Sequence, residues 1–153
     1  MEKRTFFVTT VTWQRRLILQ SEALAREFLS TLYDYRAAGR FALHAFVIMP
    51  DHVHLLLTPA ATLSLERAMQ FIKGGFSYRV GKTRPNLMVW EKSFTNHRIR
   101  DEQDYEQHRE YIHQNPVRRR LAQVANEFPY SSAHAGFELD SSPFATTAKA
   151  AGG

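Results

Sequence analysis

The stretch FVIMPDHVHLLLTP, residues 46 to 59, decides the fold. Two apolar runs meet at Pro50 and Asp51, residues suited to a tight turn and unsuited to the middle of a strand. They predict a hairpin of strands over 40–49 and 52–58. In the second strand His52 and His54 stand one residue apart, so both imidazoles share a face of the sheet while Val53 points to the other. Polar rings on a strand built for burial need partners. A shared cation meets that need and so do backbone carbonyls, and the spacing alone leaves both open.

Working outward, TFFVTTVTW (5–13) is β-branched and aromatic and predicts a first, central strand. Ser21 can cap a helix whose apolar stripe is Leu24, Phe28, Leu32 and Tyr35, with Gly39 as its stop. After the hairpin, Ser64 opens a second helix with the stripe Leu65, Met69, Ile72 and Phe76. Gly74 and Gly75 interrupt it and mark either a break or the close approach of another backbone. LMVWEKSF (87–94) predicts a fourth strand, and DEQDYEQHREYIHQ (101–114) a polar helix with acidic residues at its positive end. The order β-α-β-β-α-β, then α, predicts an α+β, ferredoxin-like antiparallel sheet. Two helices cover one of its faces, and the other is free to receive the last helix.

A chain of 153 residues, 44% hydrophobic, fits one domain with a real core. The expected domain covers 1–138, and 139–153, running into SSPFATTAKAAGG, is expected to be a flexible tail. No apolar run approaches the roughly 20 residues of a membrane helix, and the first residues lack the zones of a secretory signal, so no membrane partner and a cytoplasmic location are expected. The lack of cysteine excludes disulfides and thiolate metal sites, leaving His, carboxylate and amide ligands. The net charge of +5 suits an anionic partner. Basic residues gather at Lys73, Arg79, Lys82 and Arg84, at Arg98 and Arg100, and at Arg118, Arg119 and Arg120, which suits phosphate contacts as well as a solvated surface.

The last helix carries HREYIHQNPVRRR, residues 108–120. Tyr111 and Asn115 are one turn apart on a shared face, with His108 a turn before them. A phenol and an amide oxygen would be presented together. Equally, Tyr111 can be a packing residue, and Asn115 the N-cap of a short helix starting at Pro116.

MPDHVHLLL resembles the His-hydrophobic-His motif of the HUH endonuclease superfamily, and YIHQNPVR resembles the tyrosine helix of its single-tyrosine, insertion-sequence-200-like transposases. Asn in the fourth position after the tyrosine, then Pro-Val-Arg, is similar to the REP-associated tyrosine transposases. The likeness runs from the first strand to FPYSSA (128–133), with RRR standing where Arg-Ala-Gly is more usual. It implies Tyr111 as nucleophile, His52, His54 and Asn115 as ligands of Mg2+ or Mn2+, and single-stranded or hairpin DNA as substrate. It also implies cleavage through a 5′-phosphotyrosine link and, for this branch, a monomer, although mobile relatives are dimers. Lys73, Arg79, Arg98, Arg118, Arg119 and Arg120 become candidate DNA contacts. Two other readings use the same residues: a non-catalytic hairpin-binding protein, and a metal-dependent phosphoesterase in which water attacks.

Overall fold

The computed structural model describes residues 4–144. The elements are β1 (Phe6–Val11), α1 (Glu22–Ala37), β2 (Phe41–Met49), β3 (His52–Pro59), α2 (Leu65–Gly81), β4 (Thr95–Arg98) and α3 (Glu102–Arg118). All strand pairs are antiparallel and the sheet order is β2-β3-β1-β4, the expected ferredoxin-like arrangement. Among the described residues no helix is long and apolar enough to cross a membrane.

Pleating sorts the strand residues onto two layers. Val8, Phe46, Ile48, Val53, Leu55 and Leu57 face α1 and α2, where they pack with Phe28, Leu32, Met69, Ile72 and Phe76. Val47, Met49 and Leu56 face the other way and pack with Ile99, Tyr105 and Ile112 at and around α3. Every residue of β3 is therefore buried. Side-chain caps start the three helices: Ser21 accepts from the Leu24 N–H, Ser64 from Arg67, and Asp101 from Asp104. Gly39, at φ 78°, turns the chain out of α1 in the left-handed region open to glycine.

The fourth strand is Thr95–Arg98, not 87–94. Val89 and Trp90 are buried, but they sit in an irregular segment that touches the sheet through one bridge, Thr12 to Trp90. Their apolar character reflects packing under α2, where the Trp90 indole N–H donates to the Lys73 carbonyl at 3.1 Å. The true strand, TNHR, is a polar edge whose composition gives no apolar signal. The double glycine of α2 also differs from both expectations. The helix is unbroken, and what approaches Gly75 is a side chain: a Cβ there would lie 2.6 Å from Tyr35 Cε2. Finally, α3 continues through Pro116 to Arg118, so Asn115 lies inside the helix and does not cap a new one.

Part of the segment assigned to the tail is docked. Asp140 accepts from Arg36 at 2.9 and 3.0 Å and from the Leu43 N–H at 2.7 Å, while its own N–H donates to the Leu43 carbonyl at 2.8 Å. With Tyr130–Ser132, bonded to Phe46 and Ile48, it covers the free edge of β2. The folded unit thus reaches past residue 138, and 145–153 lie outside the described residues.

The two helical glycines should respond oppositely to a methyl group. Gly74 has open space around its Cα, so Gly74→Ala should stabilise the protein by roughly 0.5–1 kcal/mol through helix propensity. Gly75→Ala should forfeit that gain by displacing Tyr35, and urea denaturation of the two variants reads the difference.

Candidate functional site

The site is built on the α3 side of the sheet, where His52 and His54 of β3 project together. Across the register His54 faces Thr9 and His52 faces Val11 of β1. The His54 Nδ1 is 2.8 Å from Thr9 Oγ1, and the His52 Nδ1 is 2.7 Å from Asp51 Oδ1. Burial by itself would raise the Asp51 carboxyl, but the bonds to His52 and Arg15 hold it below the usual carboxylate range. Nδ1 is engaged in each ring, which leaves Nε2 as the remaining donor atom, and the ring centroids are 4.7 Å apart. Such an Asp–His pair fixes the tautomer and orientation of a metal-binding imidazole. Both rings are held neutral. Burial, then the charges of Arg119 and the neighbouring histidine, pushes His54 down to about 3, and burial likewise lowers His52.

The second half of the site comes from α3. Tyr111 is 43% exposed, yet its ring lies 5.5 Å from that of His54 and 5.8 Å from that of Phe7. The Arg118 guanidinium lies 4.3 Å above the same ring and donates to the Tyr111 carbonyl at 3.0 Å. One turn beyond, Asn115 is 3% exposed, and its buried Oδ1 has no hydrogen-bond partner. A buried orphan acceptor costs about 1–3 kcal/mol, so an interior site that keeps one needs a reason. Two imidazoles and an unpaired amide oxygen are donors of the kinds a divalent cation takes.

The basic residues divide. Arg118, Arg119 and Arg120 are exposed at the end of α3, and Arg118 lies over the Tyr111 ring. Arg98 is exposed on β4, opposite Phe6. Lys73 and Arg79 lie on α2, in the other layer. There Lys73 donates to the Glu91 and Ser93 carbonyls, and Arg79 pairs with Asp34 at 2.7 Å. The structure therefore does not bring these two to the histidine face. Arg120 occupies the left-handed region at φ 60°. Its N–H donates to Val117 and that of Leu121 to Pro116, the bonding pattern of a helix end that ordinarily selects glycine there. An arginine at this position carries a backbone cost of roughly 1–2 kcal/mol.

The sequence reading missed His97 and Asp104. His97 of β4 stacks on His108 of α3 with centroids 4.6 Å apart, and Phe7 lies 4.9 Å from His108 and 5.2 Å from His54. His52, His54, Phe7, His108 and His97 thus form a row of rings across one sheet face. The Phe7–His97 register puts the last member there, and that pairing was invisible while β4 was misplaced.

A ferredoxin-like sheet with a His-x-His strand facing a tyrosine-bearing helix is the arrangement that the resemblance to single-tyrosine transposases implies. The comparisons with known proteins are more particular. The family described as Transposase IS200 like matches residues 3–115. The REP-associated tyrosine transposase of Escherichia coli K12 is 30% identical over 142 residues, covering 87% of this chain and 82% of the relative. A Haemophilus influenzae protein provisionally given the same designation is 32% identical over 101 residues, covering 59% of this chain and 57% of its own length. A solved REP-associated tyrosine transposase bound to a REP hairpin superposes with a TM-score of 0.68 at 25% identity, covering 93% and 91% of the two chains. The chain belongs to the IS200-like transposase family, whose members cleave and rejoin DNA, and resembles its REP-associated tyrosine transposases.

Arg120→Gly should raise stability by about 1 kcal/mol, measured by urea denaturation, by removing the left-handed strain. Acid should have the opposite effect. His54 and His113, lowered to about 3 and about 4 chiefly by burial, stay neutral in the folded chain, whereas unfolded histidines take up protons near pH 6.5. Between about pH 6.5 and about 4 the unfolded state therefore binds more protons, and stability falls as pH falls. Thermal melts across that range should show a steady drop in Tm. Part of the drop should disappear in His113→Gln.

Proposed function

We propose that this protein is a divalent-metal-dependent nuclease and strand transferase acting on single-stranded DNA at or near repetitive palindromic hairpins. Tyr111 is the nucleophile, and His52, His54 and Asn115 are the cation ligands. The observation that carries this reading is the approach of the His54 and Tyr111 rings to 5.5 Å within one chain, with the orphaned Asn115 oxygen a turn further along. The hairpin bound by the solved relative supports the substrate class.

The chemistry follows from these side chains. A phenol ordinarily loses its proton near pH 10 and is a poor nucleophile at neutral pH. Arg118 holds the Tyr111 ring from one side and offers charge to an approaching phosphate. A bound Mg2+ or Mn2+ would supply Lewis-acid stabilisation of the charge on the scissile phosphate. The Tyr111 oxygen attacks phosphorus and loses its proton, the P–O3′ bond breaks, and the departing 3′ oxygen takes up a proton. The 5′-phosphotyrosine bond keeps the phosphodiester's energy, so attack by a 3′-hydroxyl reverses the step and joins strands. Arg118, Arg119 and Arg120 flank the path of the DNA backbone, and Arg98 is a further candidate contact. Lys73 and Arg79 would serve only DNA that also reaches the α2 layer. The active unit is taken to be a monomer, as the resemblance to the REP-associated branch implies. Light scattering that returned twice the chain mass would overturn that part of the reading. DNA as substrate is consistent with action in the cytoplasm.

Incubation with labelled hairpins bearing varied flanks and Mn2+, resolved on a denaturing gel, should give a protein-linked product. The adduct should vanish in Tyr111→Phe while hairpin binding persists. Hairpin binding without any adduct in the wild-type chain would leave a non-catalytic binder, and cleavage without an adduct would assign the attack to water. In Asn115→Ala the metal-free protein should be no less stable than wild type, because the orphaned oxygen is gone. Its Mn2+ affinity, followed by calorimetry, should fall by about tenfold or more.

A further inference from the structure

We propose a second metal site, for Zn2+ or a similar borderline first-row cation, formed by His97, Asp104 and His108. It lies on the same sheet face as His52 and His54 and is separated from them by the Phe7 ring.

The three residues converge from two elements. The His97 Nε2 lies 2.8 and 3.1 Å from the two oxygens of the Asp104 carboxylate, and the His108 Nδ1 lies 3.1 Å from Oδ1 of the same group. One ligand atom from each residue falls within 4.8 Å of the others. Donors placed about 2.0–2.2 Å from a tetrahedral Zn2+ are separated by little more than about 3 Å, so binding requires the His97 and His108 rings, stacked here at an interplanar angle of 18°, to turn towards one ion and His108 Nδ1 to give up its 2.9 Å bond to the Asp104 carbonyl. The carboxylate is ready to bind. Burial alone would raise it, but the Arg100 N–H at 3.0 Å and the two imidazoles hold Asp104 below the usual carboxylate range. Two histidines and one carboxylate suit Zn2+, Ni2+ or Cu2+.

Access has a direction. The side chain of Asp104 is 9% exposed and forms the floor, while His97 at 37% and His108 at 25% open towards solvent. Three protein ligands leave a fourth position for water or a phosphate oxygen. A cation here would tie edge strand β4 to the first turns of α3, the helix that presents Tyr111 three residues after His108. The cluster would thereby set the seat of that helix on the sheet, a role separate from ligation at His52 and His54.

The test uses the tag-free full chain carrying His52→Ala and His54→Ala, which removes the other donor pair and makes the outcome independent of the proposed chemistry. Calorimetry with Zn2+ should show one equivalent bound, and Zn2+ should raise Tm. Adding His97→Ala or His108→Ala should weaken binding by tenfold or more and abolish the Tm shift, while His97→Gln controls for loss of the hydrogen bond to Asp104. Absence of Zn2+ uptake by the doubly substituted chain would overturn the proposal, leaving the cluster as a hydrogen-bonded cap on α3. So would uptake that neither His97→Ala nor His108→Ala changes.

Discussion

The structure turns on the burial of both faces of β3. Strand alternation commits Val53, Leu55 and Leu57 to the core under α1 and α2, and the same alternation sends His52, His54 and Leu56 to the opposite face. A one-residue slip in register would put two imidazoles into an apolar core and a valine into the site. The hydrophobic core and the site are therefore fixed by one pairing, and each protects the register of the other.

That second face would be a solvated sheet surface without α3. Ile112 and Tyr105 anchor the helix to Val47, Met49 and Leu56, which brings Tyr111 to His54, and the 3.6-residue period puts Asn115 one turn further along the helix. The helix carries few apolar residues, so its docking leans on polar devices. The Asp101 cap, the Asp104 hub and the bond from His113 to Ser132 at 2.8 Å supply them. These devices do double duty, since they also orient the histidines that face them.

Two departures from good folding chemistry lie in and just after α3, where Asn115 keeps an unpaired buried oxygen and Arg120 a left-handed backbone. Others lie outside it, an unpaired Thr10 Oγ1 and the left-handed Gln14 and Arg15, so strain as such does not mark the site. The Asn115 oxygen does point to a ligand, because it sits one turn from Tyr111 on the same helix.

The apolar alternation around Pro50 and Asp51, the stripes of α1 and α2 and the Ser caps were legible in the sequence, because burial and capping leave short-range patterns. They gave the ferredoxin-like arrangement, and with the two motifs they gave the family and the His54 and Tyr111 rings that approach each other in space. What followed from contacts distant along the chain was not legible. The fourth strand is a polar edge whose residues carry no apolar signal, while the buried Val89 and Trp90 mimic a strand through packing alone. The Tyr35 approach that demands Gly75, and the docking of Asp140 on β2, join residues far apart in sequence. The His97–Asp104–His108 cluster needs the register of β4 against Phe7, which tertiary pairing alone supplies. Sequence by itself determined which faces had to be buried and which side chains could do the chemistry. The tertiary structure decided which of those side chains share a face, because that depends on where an edge strand and a polar helix come to rest.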